Sequence, residues 1–407
     1  MKVLMFGWEF PPFSNGGLGT ACQGLTKGLK NNNVHVTFVL PKAQKDAKAS
    51  HVNLISANNL VLENCDDIDF AEIQTLLMPY ISYDEYGEKY KNLEDNESTV
   101  YGKNLYEEVY RYSKKAALIA RFNDHDIIHA HDWMTYKAGV EAKKVSGKPL
   151  IVHMHATEFD RTGGHPNQKI YDIERMGMRE ADHIIAVSNF TKQKVVDHYG
   201  IPPDKITVVH NAVEFNDYSN SEVLSKKDKI VLFLGRLTLQ KGPEYFLQAA
   251  KKVLEKDPDI KFVVAGDGDM ENFMINKAAE MGISNKVLFS GFLRGNDIDK
   301  AYQMASVYVM PSVSEPFGIT PLEAMRNGTP TIISKQSGVS EVIKNTFKVD
   351  FWDINQLANK MYALTNYDSL HHEMANNGGK EVHKFSWDIP AGKCVDVYRK
   401  TLTYAGA

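Results

Sequence analysis

The sequence contains few cysteines, and their scarcity excludes a fold held together by disulfides. Only three occur in 407 residues, at Cys22, Cys65 and Cys394, and none has the Cys-x-x-Cys spacing of metal and redox sites. An odd number of widely separated cysteines is typical of proteins that fold in a reducing compartment. We therefore expect a cytoplasmic protein in which no cysteine takes part in catalysis.

The chain also has no long apolar segment and little net charge. The N-terminal apolar run Lys2–Phe6 is too short for the core of a signal peptide, and no stretch approaches the roughly 20 apolar residues that span a bilayer. A net charge of −4 argues against a general binder of nucleic acids. We expect no nucleic-acid partner and no transmembrane segment, whereas peripheral contact with a membrane stays open.

Short apolar runs alternate with helix-length segments along the whole chain. The runs are nearly continuous and rich in β-branched residues, as expected for parallel strands that are covered on both faces. Strands are predicted at 2–6, 34–40, 126–131, 150–155, 183–188, 206–210, 230–234, 260–265, 287–290, 307–310 and 331–333. Helices such as 100–122 and 244–254 lie between them. The pattern predicts an α/β protein with two doubly wound, Rossmann-like domains that face a cleft.

A polar stretch without periodicity separates the two halves of this pattern. The segment 214–228, EFNDYSNSEVLSKKD, is typical of a linker. It predicts a first domain over 1–213 and a second domain that begins at 229. Within the first domain, 42–97 is the least regular part, and we interpret it as a solvated excursion, with a lid beside the cleft as the alternative.

Closely spaced glycines follow the first predicted strand. Gly16, Gly17 and Gly19 break the chain, and a helix is predicted to begin near Leu18. Glycine lets the backbone approach a ligand closely, and the free amides of a helix N-terminus attract anions. The loop therefore predicts a phosphate site. A tight turn that only packs against its helix is the alternative, because the spacing is not that of a dinucleotide fingerprint.

Two predicted strands end in paired histidines. His129 and His131 lie on one face of their strand, as do His153 and His155, because side chains alternate along a strand. These histidines and Asp132 can hydrogen-bond a polyhydroxylated ligand. A metal site and buried structural histidines are the alternatives, although no Cys-x-x-Cys or His-Glu-x-x-His accompanies them.

Cations follow the first strand of the second half. Arg236 and Lys241 lie in GRLTLQKG, just beyond the carboxyl end of the predicted strand. A guanidinium and an ammonium group in one turn can clamp a diphosphate. A pair of solvated loop residues is the alternative interpretation.

The segment 311–330, PSVSEPFGITPLEAMRNGTP, is the most specific part of the sequence. Glu315 is predicted in a loop, and Pro321 is expected near the start of the following helix. The amides of 318–320 can bind phosphate oxygens at the helix N-terminus. Glu323, one turn into the helix, can accept hydrogen bonds from the vicinal hydroxyls of a ribose. Glu315 can do the same for a sugar.

Together, these segments resemble the retaining glycosyltransferases of family 4, which have the GT-B fold, in the broad group of glycogen and starch synthases. The motifs that carry the resemblance are the GGLG loop, GRL…KG, and the glutamate pair of Glu315 and Glu323 in its EPFG setting. They span nearly the whole chain in the expected order. The segment from Phe385, FSWDIPAGKCVDVYRKTL, looks like the family's last helix, which crosses back to the first domain. The resemblance thus implies a second domain over 229–385 and a returning helix over 386–407.

The resemblance implies a role for each catalytic candidate. Arg236 and Lys241 would neutralise the donor diphosphate and the departing nucleoside diphosphate. Glu315 would hold hydroxyls of the donor sugar. His155 matches the family's cleft histidine near the anomeric centre and the 6-hydroxyl of the sugar.

The substrate-binding candidates follow in the same way. Gly16, Gly17 and Leu18 would lie against the diphosphate, and Glu323 would bind the ribose. The other positions implied by the resemblance are Asp132 on the acceptor side, Leu293 beside the base, and Phe317, Gly318, Ile319 and Thr320 at the sugar–phosphate end.

The resemblance implies transfer of a sugar, with glucose expected, from a UDP- or ADP-sugar to a carbohydrate acceptor such as an α-glucan. The nucleotide sugar is a substrate, so no cofactor and no metal ion are expected. Ser14 and Thr20 depart from bacterial glycogen synthases, which have a lysine and an aspartate at these places. The alternatives are a lipid, polysaccharide or small-molecule acceptor, a nucleotide-sugar epimerase on the same fold, and a non-catalytic binder.

Overall fold

The computed structural model describes residues 1–11, 16–41, 51–57, 105–215 and 228–405. Ser14 lies outside the described residues, as do most of the irregular segment 42–97 and residues 216–227 of the predicted linker. The described chain forms two parallel sheets with helices on both faces. It is an α/β protein built from two doubly wound units, which confirms the predicted fold class.

The first sheet has the order β3-β2-β1-β4-β5-β6-β7 in the described part of the chain. Its strands are β1 Lys2–Phe6, β2 His35–Leu40, β3 Asn53–Ser56, β4 Ile127–His131, β5 Leu150–Met154, β6 His183–Ala186 and β7 Ile206–Val208. Its helices are α1 Gly17–Asn31, α2 Leu105–Phe122, α3 Trp133–Ser146, α4 Glu158–Arg161, α5 Gln168–Glu180 and α6 Asn189–Tyr199. The order reverses at β1, and the carboxyl ends of β1 and β4 lie side by side there. Ligands of such sheets bind at this edge.

The second sheet has the order β10-β9-β8-β11-β12-β13, again within the described residues. Its strands are β8 Ile230–Leu234, β9 Lys261–Ala265, β10 Val287–Gly291, β11 Val307–Met310, β12 Thr331–Ser334 and β13 Phe347–Val349. Its helices are α7 Pro243–Leu254, α8 Glu271–Glu280, α9 Asn296–Met304, α10 Thr320–Arg326, α11 Ile354–Asn366 and α12 Asp368–Val382. The order reverses at β8, so the loops after β8 and β11 are neighbours. These loops carry GRLTLQKG and PSVSEPFG.

A last helix, α13 Asp388–Ala405, leaves the second unit and packs on α1. The chain returns beside the first sheet, where the Val213 amide donates to the Phe385 carbonyl over 3.1 Å. Two glycines of α1 permit the contact: a Cβ at Gly24 would lie 2.2 Å from the Trp387 ring, and one at Gly28 would lie 2.4 Å from the Trp387 carbonyl oxygen. Such close approach requires a residue without a side chain.

Every strand predicted from the sequence is present, and two further short strands, β3 and β13, are not among the predicted ones. The predicted helix 100–122 is found as α2 from Leu105, because 100–104 lie outside the described residues. No helix in the described residues is both long and apolar enough to cross a bilayer.

Candidate active site

Two loops of the second sheet are bound together at its carboxyl edge. A 3₁₀ turn, Leu239–Lys241, follows β8 and ends at Gly242, whose φ of +64° is left-handed. A Cβ there would lie 2.2 Å from the Pro311 carbonyl oxygen, so only glycine allows the two loops to meet. The Gln240 carbonyl accepts hydrogen bonds from the amides of Val313 and Ser314 over 2.9 and 3.4 Å. The lysine loop is thereby held against the loop that follows β11.

This contact brings two of the catalytic candidates together. The Lys241 Nζ donates to Glu315 Oε2 over 2.6 Å. The same carboxylate oxygen accepts from Ser312 Oγ over 3.2 Å. The Glu315 side chain is 8% exposed and that of Lys241 24% exposed, so the ion pair is partly shielded from water. At the carboxyl edge of the sheet, a partly desolvated ammonium group can bind a phosphate, and the carboxylate beside it can bind sugar hydroxyls.

The residues after Glu315 turn sharply into α10. Gly318 has φ +99°, and a Cβ there would lie 3.1 Å from Glu315 Cγ. Phe317 is buried, whereas Gly318, Ile319 and Thr320 are half-buried. Tyr308 donates its hydroxyl proton to Thr320 Oγ1 over 2.8 Å. The structure thus places the predicted sugar–phosphate residues beside Glu315, at the start of a short helix.

Glu323 lies one turn into α10, as the sequence predicts. Its Oε2 accepts a hydrogen bond from the Tyr302 hydroxyl over 3.1 Å. Loss of hydration raises the pKa of Glu323, and the nearby Arg326 charge opposes the rise. Tyr302 is buried on α9, and sequence patterns gave no signal for this partner because it lies on another helix.

The four histidines form one contiguous stack on a single face of the first sheet. The ring centroids of His129 and His131 are 4.3 Å apart, and those of His153 and His155 are 4.2 Å apart. His131 Nδ1 and His155 Nε2 are 2.9 Å apart and share one hydrogen bond. At the other end, His129 Nδ1 lies 2.7 Å from the hydroxyl of Tyr398 on α13. Only His155 is partly exposed, so the stack runs from the cleft into the core.

Burial keeps these imidazoles neutral. It lowers the pKa of His129 to about 3, and it places the pKa values of His131 and His153 well below their usual range. The pKa of His155 is also lowered, chiefly by burial. Neutral rings can act as hydrogen-bonding groups and as metal ligands.

Three of the rings could in principle hold a metal ion. One nitrogen each from His129, His131 and His153 lies within 4.8 Å of the others. However, His129 and His131 stack with only 25° between their planes. A metal ion must lie in the plane of each ring that binds it, and the lone pairs of stacked rings point side by side. The near-parallel planes of His129 and His131 therefore favour ring stacking over shared coordination of one ion.

Asp132 is buried and bonds the backbone of the loop that follows β5. Its Oδ1 accepts hydrogen bonds from the backbone amides of His155 and Ala156 over 2.8 and 3.3 Å. Its Oδ2 lies 3.6 Å from Arg161. The residue has φ +59°, a strained conformation for a side chain other than glycine. Asp132 is 2% exposed, and its carboxylate orients His155.

The glycine loop, Arg236 and Leu293 lie at strand ends. Gly16 precedes α1, Gly17 is exposed, and Leu18 is buried beneath them. Glu9, to which the sequence analysis gave no role, accepts from the Gly19 amide over 3.2 Å within the first turn. Arg236 is half-buried after β8. Half-buried Leu293 follows β10 and packs against the core cluster that contains Phe317 and Leu322.

The two halves of the candidate site touch each other. Ser314 Oγ, one residue before Glu315, donates to Asp160 Oδ1 of the loop region that carries His155, over 2.5 Å. Neither Asp160 nor Ser314 is among the predicted site residues. Their separation of 154 positions leaves no local pattern that could have revealed the contact.

Comparisons with known proteins identify a glycosyltransferase family. The family model described as Glycosyltransferase Family 4 matches residues 84–217, and the one described as Glycosyl transferases group 1 matches residues 214–381. An uncharacterized glycosyltransferase of Methanocaldococcus jannaschii is 30% identical over 426 residues, with 100% of both chains covered.

Two further relatives have more specific names. A UDP-Gal:alpha-D-GlcNAc-diphosphoundecaprenol alpha-1,3-galactosyltransferase of Escherichia coli is 28% identical, covering 67% of this chain and 75% of its own. A glycogen synthase of Mycobacterium tuberculosis is 24% identical, covering 85% of this chain and 80% of its own.

A solved structure supports the fold. Sucrose-phosphate synthase from Thermosynechococcus elongatus superposes with a TM-score of 0.77 at 17% identity, and each chain is covered to 100%. The relative from Methanocaldococcus jannaschii matches the chain from end to end, and the two family models together match residues 84–381. The chain belongs to the family 4 glycosyltransferases, which have the GT-B fold.

Proposed function

We propose that this enzyme transfers glucose from UDP- or ADP-glucose to an α-glucan, with retention of the anomeric configuration and without a metal ion. The observation that carries the proposal is the Lys241–Glu315 ion pair, which lies 2.6 Å apart at the carboxyl edge of the second sheet. One member can bind a phosphate and the other can bind sugar hydroxyls. A nucleotide sugar contains both groups, because its sugar is attached through the anomeric oxygen to the diphosphate.

The proposed chemistry places positive charge where the leaving group develops negative charge. The bond between the anomeric carbon and the diphosphate oxygen breaks, and its electron pair moves to that oxygen. Lys241 and Arg236 neutralise the departing diphosphate, with the amides at the start of α10 as further donors. Such preorganised charges lower the barrier more in a shielded site than in water. Residues of the chain would then fill the role that a divalent cation has in other transferases.

The anomeric configuration is retained if the acceptor attacks the same face of the sugar from which the leaving group departs. An acceptor hydroxyl forms the new bond to the anomeric carbon, and its proton passes to the departing phosphate oxygen. His155, neutral because burial lowers its pKa, can hydrogen-bond the sugar without repelling an oxocarbenium-like transition state. Glu315 keeps the sugar oriented, while Gly16, Gly17 and Leu18 would lie against the diphosphate from the other side. Glu323 would hold the ribose, and Leu293 would contact the base.

The named relatives support different acceptors. The glycogen synthase covers more of this chain than the galactosyltransferase, and this coverage favours an α-glucan. The galactosyltransferase has the higher identity, and its name specifies a sugar attached to diphosphoundecaprenol. A lipid-linked saccharide is therefore the second candidate acceptor.

One experiment separates these possibilities. Purified enzyme is offered UDP- and ADP-sugars with an α-glucan, with a lipid-diphosphate saccharide or with no acceptor, and nucleoside diphosphate release is measured. We expect release from a glucose donor that depends on the glucan, and a product whose anomeric proton shows α-linkage by NMR. Conversion of the nucleotide sugar without an acceptor would indicate an epimerase. Binding without turnover in every arm would indicate a non-catalytic protein, and a β-linked product would exclude retention.

The control variant is matched to the catalytic glutamate. Glu315→Gln removes the charge with little change in shape. Glu373→Gln makes the same change on an exposed residue of α12. We expect loss of turnover only in the first variant.

A further inference from the structure

We infer that Asp160 and Lys194 of the first unit are positioning residues for Glu315, acting across the cleft through Ser314. This inference rests on the proposed role of Glu315 as the residue that holds the donor sugar. The loop after β11, which carries Glu315, belongs to the second unit, but residues of both units would then hold it in position.

Asp160 is fully buried, and its carboxylate accepts four hydrogen bonds. Oδ2 accepts from the Thr157 amide and hydroxyl over 2.8 and 2.7 Å, which forms a capping box at the start of α4. Oδ1 accepts from Lys194 Nζ and from Ser314 Oγ, each over 2.5 Å. Lys194 Nζ also donates to Ser314 Oγ over 2.6 Å. Ser314 is thus held by an ion pair between a buried carboxylate and a half-buried ammonium group, both of which belong to the other unit.

The charge state of this pair is fixed by its surroundings. Burial acts to raise the pKa of Asp160, but the Lys194 charge and the hydrogen bonds from Ser314 and Thr157 outweigh it, and the pKa falls below its usual value. The carboxylate stays ionised and remains a strong acceptor for the serine hydroxyl. Charge-assisted bonds of this kind are short and directional.

The residue on the other side of Glu315 is held in the same way. The Pro316 carbonyl accepts from Ser188 Oγ over 2.5 Å and from Thr191 Oγ1 over 3.3 Å. Ser188, Thr191 and Lys194 are spaced by three residues at the start of α6, so they lie along one side of the helix. This side of α6 therefore contacts both neighbours of Glu315.

The second unit packs closely against this helix at Gly338. A Cβ at Gly338 would lie 2.2 Å from the Pro316 oxygen and 2.5 Å from the Ser188 Cβ. Glu341, three residues after Gly338 in the same 3₁₀ helix, accepts hydrogen bonds from the amides of Asn189 and Phe190 over 2.9 and 2.7 Å, which caps α6 from the second unit. The loop is thus clamped between α6 and its own sheet.

The backbone of Glu315 is held from its own side as well. Its amide donates to the Gln336 carbonyl, and its carbonyl accepts from the Gly338 amide, each over 2.9 Å. With both flanking residues bonded to the first unit, the backbone of Glu315 is held in the position from which its carboxylate reaches Lys241 Nζ and Ser312 Oγ. A small displacement of this loop would move Glu315 away from the sugar, and an error of about 1 Å can cost up to roughly 100-fold in rate.

The test variant is Ser314→Ala, because it removes the link and leaves the Asp160–Lys194–Thr157 network intact for folding. We expect kcat to fall about tenfold with the donor panel described above, while the dissociation constant of the free nucleoside diphosphate stays unchanged. Ser340→Ala is the matched control, since its hydroxyl bonds only to the Ser337 and Lys335 carbonyls of its own unit. This control should keep the wild-type kcat.

A double-mutant cycle shows whether the residues act through one contact. Asp160→Asn combined with Ser314→Ala should have the kcat of the slower single variant. Additive losses, or an unchanged kcat in Ser314→Ala, would overturn the inference. A parallel loss of thermal stability and nucleotide affinity would indicate a merely structural role and would overturn it too.

A second measurement separates this inference from the proposed function. Hydrogen exchange of the amides at 315–317 should be faster in Ser314→Ala than in wild type and unchanged in Ser340→Ala. If wild type releases no diphosphate from any donor, the proposed function fails, and the exchange rates decide about the loop alone. Equal exchange in all three proteins would then refute the positioning role.

Discussion

Lys241 Nζ lies 2.6 Å from Glu315 Oε2, although 74 residues separate the two in the chain. The proposed reaction gives these residues different partners, a diphosphate for the lysine and sugar hydroxyls for the glutamate. Without a donor, each satisfies the other. A donor phosphate that approaches Lys241 would compete with the carboxylate, and the sugar beside it would offer that carboxylate new donors. The ion pair therefore holds both groups in place in a shielded site.

This relationship predicts that the two charges are needed for turnover more than for stability. We expect Lys241→Met and Glu315→Gln each to lower kcat by about 100-fold, the size of effect seen when one preorganised donor is removed from a transition state. The stability cost should be smaller for Glu315→Gln, which leaves a partly exposed lysine, than for Lys241→Met, which leaves a nearly buried carboxylate without its ammonium partner. Steady-state kinetics and thermal unfolding of both variants test this. Near-normal transfer by either variant would refute the assigned roles.

Metal removal should leave the enzyme active. In the proposed reaction Lys241 and Arg236 supply positive charge for the departing diphosphate, and the rings of His129 and His131 are stacked with 25° between their planes. We expect the same rate of diphosphate release before and after dialysis against EDTA, and less than one equivalent of any transition metal by elemental analysis. Loss of turnover that Mn²⁺ or Zn²⁺ restores would contradict both statements.

The fold was predictable from sequence because its signals are local. Continuous apolar runs identify buried parallel strands, and the alternation with helices implies doubly wound sheets. The two strands that were not predicted show where these local signals fail. Asn53–Ser56 and Phe347–Val349 are short edge strands whose side chains, apart from Val349, are exposed or half-buried, so neither has the long apolar run of a fully buried strand.

The candidate site was predictable only where its residues are neighbours in sequence. The histidines stack because they alternate along β4 and β5, which pair in register at His131 and His153. By contrast, the Lys241–Glu315 pair depends on how two loops meet, and the Asp160–Ser314 contact depends on how two sheets are arranged. Asp132 shows a further limit. Its residue type suggested a ligand contact, but the pattern gave no sign that its carboxylate also accepts hydrogen bonds from the backbone amides of the loop after β5.

The buried histidines predict a stability that falls in acid. The unfolded chain binds protons on histidine below a pH of about 6.5, whereas burial lowers the pKa of His129 to about 3 in the folded protein. Between these values the unfolded state holds more protons, so the free energy of unfolding rises with pH and is lost as pH falls. Each such histidine adds a slope of at most about 1.4 kcal/mol per pH unit.

Two substitutions isolate this effect. His129→Gln should reduce the slope of unfolding free energy between pH 6.5 and 5 by about one proton, whatever its effect on stability at pH 7.5. His372→Gln, on an exposed residue of α12, should leave the slope unchanged. Denaturant titrations at several pH values measure it. An identical pH dependence in wild type and His129→Gln would show that this imidazole does not stay neutral in the folded protein.

The packing of α13 on α1 predicts opposite effects for two helical glycines. Gly28→Ala would place a methyl group 2.4 Å from the Trp387 carbonyl oxygen and 2.8 Å from the Ala391 Cβ. One of the helices must then move, and overpacking of this kind costs about 1–3 kcal/mol. Gly379→Ala on α12 meets only the Met325 oxygen at 3.9 Å, so the gain in helix propensity of about 0.5–1 kcal/mol should prevail.

Denaturation midpoints that rise for Gly379→Ala and fall for Gly28→Ala would support the close contact, because the two substitutions are chemically identical and differ only in what the methyl group meets. Equal midpoints would mean that α13 does not pack against Gly28 in solution.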